Sequence, residues 1–334
     1  MGGGIGLIEM YKTSNILALV GGGHTPKYQL NKVIIWDENE AGIVAELRVN
    51  NKVLNIKMKF DRIIVVTDRK IYVFDMENFD VIDIIKTAAN HLGLYAISSS
   101  DKINVIAFPI KRLSDDSKGE VGLKSYECNI LKHKISAHES NLSFLAINNK
   151  GTLLATASQT GTLIRVFAVY NGEFLQELRR GTYNSTISCI AFESNDKFLV
   201  CSSNSSTIHV FSLSESNKAL INLSKKNSFS GPTKESGKSK IEPNETEPKN
   251  KKSLFSGLSG LSKLMDKLVC SQWSFAKLHI EENNGLVRFI KENTIAILAS
   301  NGKIYTAYFD NKNGGDCKIL NHKLISTFSK LKII

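Results

Sequence analysis

The sequence predicts an all-β chain built as a propeller of repeated four-stranded units. Three observations carry this. Short runs rich in Val, Ile, Leu and Phe recur along the chain, broken by Asn, Gly, Asp and Ser. That is strand chemistry with turn punctuation. Hardly any segment before residue 250 shows helical periodicity. Finally, two neighbouring stretches align, LAINNKGTLLATASQTGTLIRVFAV from Leu145 and IAFESNDKFLVCSSNSSTIHVFSL from Ile190. Their offset of about 45 residues is the length of a propeller blade.

In the alignment Leu154 falls on Leu199, Ser158 on Ser203 and Thr162 on Thr207. After a one-residue gap, Val166-Phe167 falls on Val210-Phe211. An earlier pair, IIWDENE and YVFDMEN, repeats at a similar period, and Trp36-Asp37 reads as the WD dipeptide. A β-sandwich would explain the alternation of apolar residues but not the recurring unit. Closure of blades around an axis also protects sheet edges.

One segment breaks the pattern. From about Ser214 to Val269 the chain turns rich in Ser, Lys, Asn and Glu, and strand-like sequence resumes at Gln272. The segment is an insertion within a late blade of a single domain spanning 1–334. Residues 214–252 lack the apolar area to offset ordering entropy and are expected to be disordered. Residues 253–269 (SLFSGLSGLSKLMDKLV) differ. Leu254, Leu258, Leu261, Met265 and Leu268 form one helical stripe, widened by Phe255 and Leu264. Ser253 can cap such a helix, while Gly257 and Gly260 each cost about 1 kcal/mol against alanine. The stripe suits an interfacial helix that folds on lipid headgroups; it equally suits a helix packed on protein.

Composition bounds function. The formal charge of +11 favours an anionic partner: nucleic acid, an acidic protein or an anionic membrane. Five unpatterned cysteines argue for free thiols in a reducing, cytoplasmic compartment. The N-terminal stretch lacks the features of a signal peptide, and no apolar run is long enough for a membrane-spanning helix. GGGHTPKY (21–28) lacks the ending of a phosphate loop and reads as a turn. No nucleophile, paired-carboxylate, metal or cofactor constellation is present, so no enzyme is expected. A nucleic-acid role lacks interleaved aromatic and basic residues, and much of the charge sits in the insertion.

The candidate site centres on ELRRG (177–181). Successive strand residues point to opposite sides, so Arg179 and Arg180 should face different blades. Ser158, Thr162 and Arg165 precede the pair in one repeat; Ser203, Thr207 and His209 follow it in the next. Hydroxyls and basic groups converging without carboxylates suit a phosphate. The competing reading is that both arginines pair with Glu173 or Glu177 on a solvated edge.

These residues resemble the PROPPIN family of WD-repeat propellers, which includes the WIPI proteins. The likeness rests on Leu178-Arg179-Arg180-Gly181, NILALVGGG…PKY…NKVIIWD (15–37), AHES (137–140), GTLLATAS…GTLIRVF (151–167) and STIHVF (206–211). The leucine form and NKVIIWD lean towards the compact WIPI branch. The resemblance implies seven blades and two sites for phosphatidylinositol 3-phosphate or 3,5-bisphosphate. By position, His138, Ser158, Thr162, Arg165 and Arg179 match the first. Arg180, Ser203, Thr207 and His209 match the second, with Lys277 beside them. It further implies that the insertion enters membranes, and that the protein is a peripheral scaffold of autophagy or a related process. A bridge-like lipid-transfer protein is the implied partner, and the expected state is a monomer. The alternative is a propeller scaffold that binds proteins without binding lipid. The second-site turn, Asn204-Ser205-Ser206, departs from the family's glycine-bearing form.

Overall fold

A computed structural model describes residues 3–101, 103–110, 119–126, 132–213, 271–282 and 285–325. These form six mainly antiparallel sheets and, among the described residues, no helix. The first sheet holds β1 (Ile5–Met10), β2 (Ile16–Gly21), β3 (Lys32–Asp37) and β4 (Gly42–Arg48). The second holds β5 (Asn55–Met58), β6 (Arg62–Val66), β7 (Lys70–Asp75) and β8 (Val81–Lys86). The third holds β9 (Ala96–Ile97), β10 (Val105–Pro109), β11 (Glu120–Ser125) and β12 (Lys132–Ser136).

The fourth sheet runs through β13 (Leu142–Ile147), β14 (Leu153–Ser158), β15 (Leu163–Ala168) and β16 (Phe174–Arg179). The fifth contains β17 (Ile187–Phe192), β18 (Phe198–Ser203), β19 (Thr207–Ser212) and β21 (Ala276–His279). A short strand, β20 (Gln272–Trp273), adds to β16 in parallel, and β25 (Gly315–Asp316) adds likewise to β21. The sixth sheet is β22 (Leu286–Lys291), β23 (Thr294–Leu298), β24 (Lys303–Tyr308) and β26 (Lys318–Leu324). Seven blades are expected from the sequence; six sheets form among the described residues.

Sequence punctuation has a common structural cause. The carboxylates of Asp37, Asp75 and Asp310 each accept from the amide two residues on, at 2.7–2.8 Å. Such Asx turns fold the chain back between the third and fourth strands of a sheet. The repeat seen in the sequence is also real in register. Leu154 pairs with Phe167 as Leu199 pairs with Phe211, and both inner strands bulge at the same place, Leu142/Phe144 and Ile187/Cys189.

Each sheet between two neighbours is apolar on both faces. Leu154 and Phe167 of the fourth sheet pack towards the third, whereas Ala155, Ile164, Val166 and Leu178 pack towards the fifth. Leu199, Cys201 and Phe211 meet the latter set. The insertion leaves the fifth sheet after β19, and the chain returns first through β20, on the edge of the fourth sheet, and then through β21 beside β19. The expectations for residues 214–252, and for the stripe from Leu254 to Leu268, lie outside the described residues.

Candidate phosphate-binding pockets

Register decides which way each arginine points. Arg165 pairs with Thr156 and Glu177, and Leu163 pairs with Arg179. Pairs share a face and alternate residues share a face. Thr156, Ser158, Arg165, Glu177 and Arg179 therefore line the face of the fourth sheet that meets the third. Arg180 follows Arg179 and belongs with Leu178, on the face that meets the fifth. Ser203, Thr207 and His209 lie on the fifth sheet's opposing face with Cys201. The candidate residues therefore fall in two successive sheet interfaces, the two candidate pockets, with the fourth sheet as their shared wall.

In the first pocket His138 comes from the link between the third and fourth sheets. Its Nε2 lies 2.9 Å from Thr156 Oγ1, whose own hydroxyl reaches the Arg165 carbonyl. Burial, helped by the Arg165 charge, pushes the imidazole down to about 4, so it is neutral at pH 7 and donates to the threonine. Ser158 is buried with its hydroxyl 2.9 Å from Thr160 Oγ1. Thr162 is half-buried in the turn before β15, and its carbonyl accepts from the Arg180 amide. Arg165 is anchored by Glu177 Oε2 at 2.9 Å and the Ala137 carbonyl at 2.7 Å.

That ion pair corrects one expectation: a carboxylate does enter the first pocket. It ion-pairs with Arg165, and its charge also acts on Arg179, which it does not touch by a hydrogen bond. Glu173, the other acid of the competing reading, bonds Asn171. Arg165 is thereby tied to β16 and to the link before β13.

Arg179 is 6% exposed and Arg180 8%. Arg179 Nε donates to Ser271 Oγ at 2.6 Å. Arg180 Nε donates to the Gly161 carbonyl at 3.0 Å, and its Nη2 to the Tyr183 carbonyl. Neither guanidinium has a carboxylate partner among the described residues. Burial lowers the pKa of both below the ordinary arginine value, and both stay protonated. The reach of Arg180 depends on Gly161. That residue has φ +61°, and a Cβ there would stand 1.7 Å from the Ser185 carbonyl.

In the second pocket Ser203 Oγ lies 2.8 Å from Ser205 Oγ, and Thr207 Oγ1 3.4 Å from His279 Nδ1. His209 Nδ1 stands 3.3 Å from Ser274 Oγ. Burial first, then the charges of Lys277 and Arg180, push His209 down to about 3, so it too is neutral. Lys277 pairs with His209 across the strands and is exposed at the rim. The turn at Asn204-Ser205-Ser206 is one residue shorter than its counterpart and takes no left-handed residue, which accounts for the alignment gap.

Sequence reasoning missed Ser271, Ser274 and His279. All three follow the insertion. They reach the pockets because β20 and β21 return beside β16 and β19. The only local signal was the resumption of strand-like sequence at Gln272.

Among the described residues no His, Cys, Asp and Glu cluster could hold a metal, and no helix is long and apolar enough to cross a membrane. Comparison with known proteins agrees with the fold. The PROPPIN family model matches residues 5–232. Autophagy-related protein 18e of Arabidopsis thaliana is 30% identical over 322 residues, 96% of this chain and 76% of that protein. Autophagy-related protein 18 of Komagataella pastoris is 31% identical over 243 residues, 63% of this chain and 45% of its own length. The chain thus spans under half of that relative, and 57% of autophagy-related protein 18 of Yarrowia lipolytica. Among solved structures, Hsv2 of Kluyveromyces lactis superposes with TM-score 0.69 at 19% identity, covering 96% of this chain and 87% of that one. KlAtg21, solved with the coiled coil of AgAtg16, superposes with TM-score 0.70 at 20% identity, over 95% of this chain and 84% of that one. On these grounds the chain belongs to the PROPPIN family of β-propellers.

Proposed function

We propose that the protein reads 3-phosphorylated phosphoinositides, taking one headgroup in each pocket, and so recruits other proteins to a membrane in autophagy or related membrane biogenesis. One observation carries this reading: two arginines are buried side by side, on opposite faces of one strand, without carboxylate partners. A buried charge left uncompensated is costly, and a phosphate would supply the missing anion. Ser158 on the face of Arg179, Thr162 in the turn before β15, and Ser203 and Thr207 on the face opposite Arg180 can donate to the remaining phosphate oxygens. Neutral His209 can do the same through a ring N–H, whereas the one N–H of neutral His138 is held by Thr156 Oγ1.

Two pockets facing one membrane multiply avidity, because the second capture is intramolecular. Lysines of the insertion (Lys251, Lys252, Lys263, Lys267) add about 1 kcal/mol each near an anionic surface. The stripe from Leu254 to Leu268 would then enter the headgroup layer. Recruitment of a bridge-like lipid-transfer protein completes this reading. A protein-binding role has its own support in the coiled-coil complex of the similar KlAtg21.

Co-sedimentation with liposomes carrying phosphatidylinositol 3-phosphate tests the proposal. Binding should require that lipid and be lost in the Arg179→Ala/Arg180→Ala variant. Equal sedimentation of the double variant would leave a scaffold that binds protein alone.

A further inference from the structure

The two candidate pockets are built on equivalent strand pairs but carry different charges. Arg165 pairs with Glu177 across β15 and β16, as His209 pairs with Lys277 across β19 and β21. Two residues along, Leu163 pairs with Arg179 as Thr207 pairs with His279. Both strand pairs also close on the same bond. The Arg180 amide donates to the Thr162 carbonyl, and the Ile280 amide to the Ser206 carbonyl. Glu177 and Lys277 therefore occupy one equivalent place, and Leu163 and Thr207 another.

The first pocket has a carboxylate at the first of these places, bound to Arg165 at 2.9 Å, and an apolar side chain at the second. The second pocket has an ammonium and a hydroxyl there. It gains a further cation, Arg180, from the wall that the fourth sheet presents to it. The counterpart of Arg180 on the third sheet is Ala137, whose amide donates to the Gly119 carbonyl in the same way. Lys277 is exposed and Arg180 buried, and the charges of both act on the His209 ring. Ser206 Oγ and Thr207 Oγ1 each lie 3.4 Å from His279 Nδ1, so two hydroxyls and an imidazole stand along the rim with Lys277. Asp316 is the neighbour of Lys277 on the outer side, on exposed β25, yet no ion pair joins the two. A phosphate is held by a cation and a few donors. The second pocket has two cations free of carboxylates, which suits two phosphates.

We propose that the second pocket selects a lipid headgroup bearing two phosphates, one held by Arg180 and the other by Lys277, whereas the first pocket takes a single phosphate on Arg179. The selection rests on the headgroup reading above. One ion pair at an exposed rim strengthens binding by up to about fivefold, and salt screens it.

Calorimetry at constant low salt tests this with short-chain phosphatidylinositol 3-phosphate and the corresponding 3,5-bisphosphate. The Arg179→Ala chain, which keeps the second pocket, should bind the bisphosphate about fivefold tighter. The Arg180→Ala chain, which keeps the first, should show no such preference. Lys277→Glu in the Arg179→Ala chain places the first pocket's charge at the second and should reverse the preference. Lys277 is exposed, so circular dichroism should show the fold unchanged. Equal affinities in the Arg179→Ala chain would overturn the proposal. So would a preference that survives Lys277→Glu, or one that is as large in the Arg180→Ala chain. Each of these results leaves the headgroup reading standing, whereas failure of the wild type to bind either ligand removes both. The comparison is repeated on liposomes carrying one lipid or the other. A preference present with the soluble ligands and absent on liposomes would point to free inositol phosphates and overturn the proposal for a lipid.

Discussion

Replacing Arg180 with methionine should separate folding from binding. The side chain makes two hydrogen bonds, to the carbonyls of Gly161 and Tyr183. Bonds from a charged donor are worth about 1.5–3 kcal/mol each. Against them stands the desolvation of a guanidinium only 8% exposed and without a carboxylate, several kcal/mol for a buried ion. The two contributions are of similar size. Methionine keeps the apolar volume and removes both, so urea unfolding should shift by no more than about 1 kcal/mol. Binding behaves differently, because a buried charge pair truncated on one side loses about 2–5 kcal/mol. Affinity of the second pocket for a soluble short-chain phosphatidylinositol 3-phosphate should fall at least roughly 30-fold. The pair of measurements is denaturation followed by circular dichroism and titration calorimetry at constant salt. A variant that unfolds several kcal/mol more easily yet binds unchanged would show that Arg180 is a structural strut, and would refute the reasoning.

Four further outcomes follow from the same geometry. Arg165→Ala should destabilise more than Arg179→Ala, because it leaves Glu177 without its partner; thermal unfolding of the two variants side by side decides it. Gly161→Ala should lower Tm and weaken the second pocket together, since its Cβ would stand 1.7 Å from a carbonyl at φ +61°. Such strain costs at least about 1–2 kcal/mol. Stability should fall on acidification from pH 6.5 towards 4. His138 and His209 are held at about 4 and about 3, below their unfolded value, so the unfolded state binds the extra protons in that window. His138→Gln should flatten part of the slope in urea titrations across that range. Leu258→Asp with Leu261→Asp should spare soluble headgroup binding and weaken liposome retention; equal retention would remove the insertion from the membrane contact.

Much of the architecture was legible because propeller blades announce themselves by repetition. The match of Leu154 with Leu199 and of Phe167 with Phe211 marked equivalent core positions, and register confirmed it. Strand alternation was enough to send Arg179 and Arg180 to different interfaces. Long-range pairing was not legible. Ser271 and Ser274 sit 92 residues from Arg179 and 65 from His209 along the chain, so no local pattern could announce them. The competing reading gives Glu177 to the adjacent arginines; it ion-pairs with Arg165, because pairing across β15 and β16 puts those two side chains opposite each other.

The most direct test of the two-pocket account is the stoichiometry of soluble headgroup binding, measured by titration calorimetry on the wild type, Arg179→Ala, Arg180→Ala and the double variant. The account predicts two sites in the wild type, one in each single variant and none in the double. Loss of all binding in either single variant would contradict it, because the adjacent arginines would then form one site and not the shared wall between two.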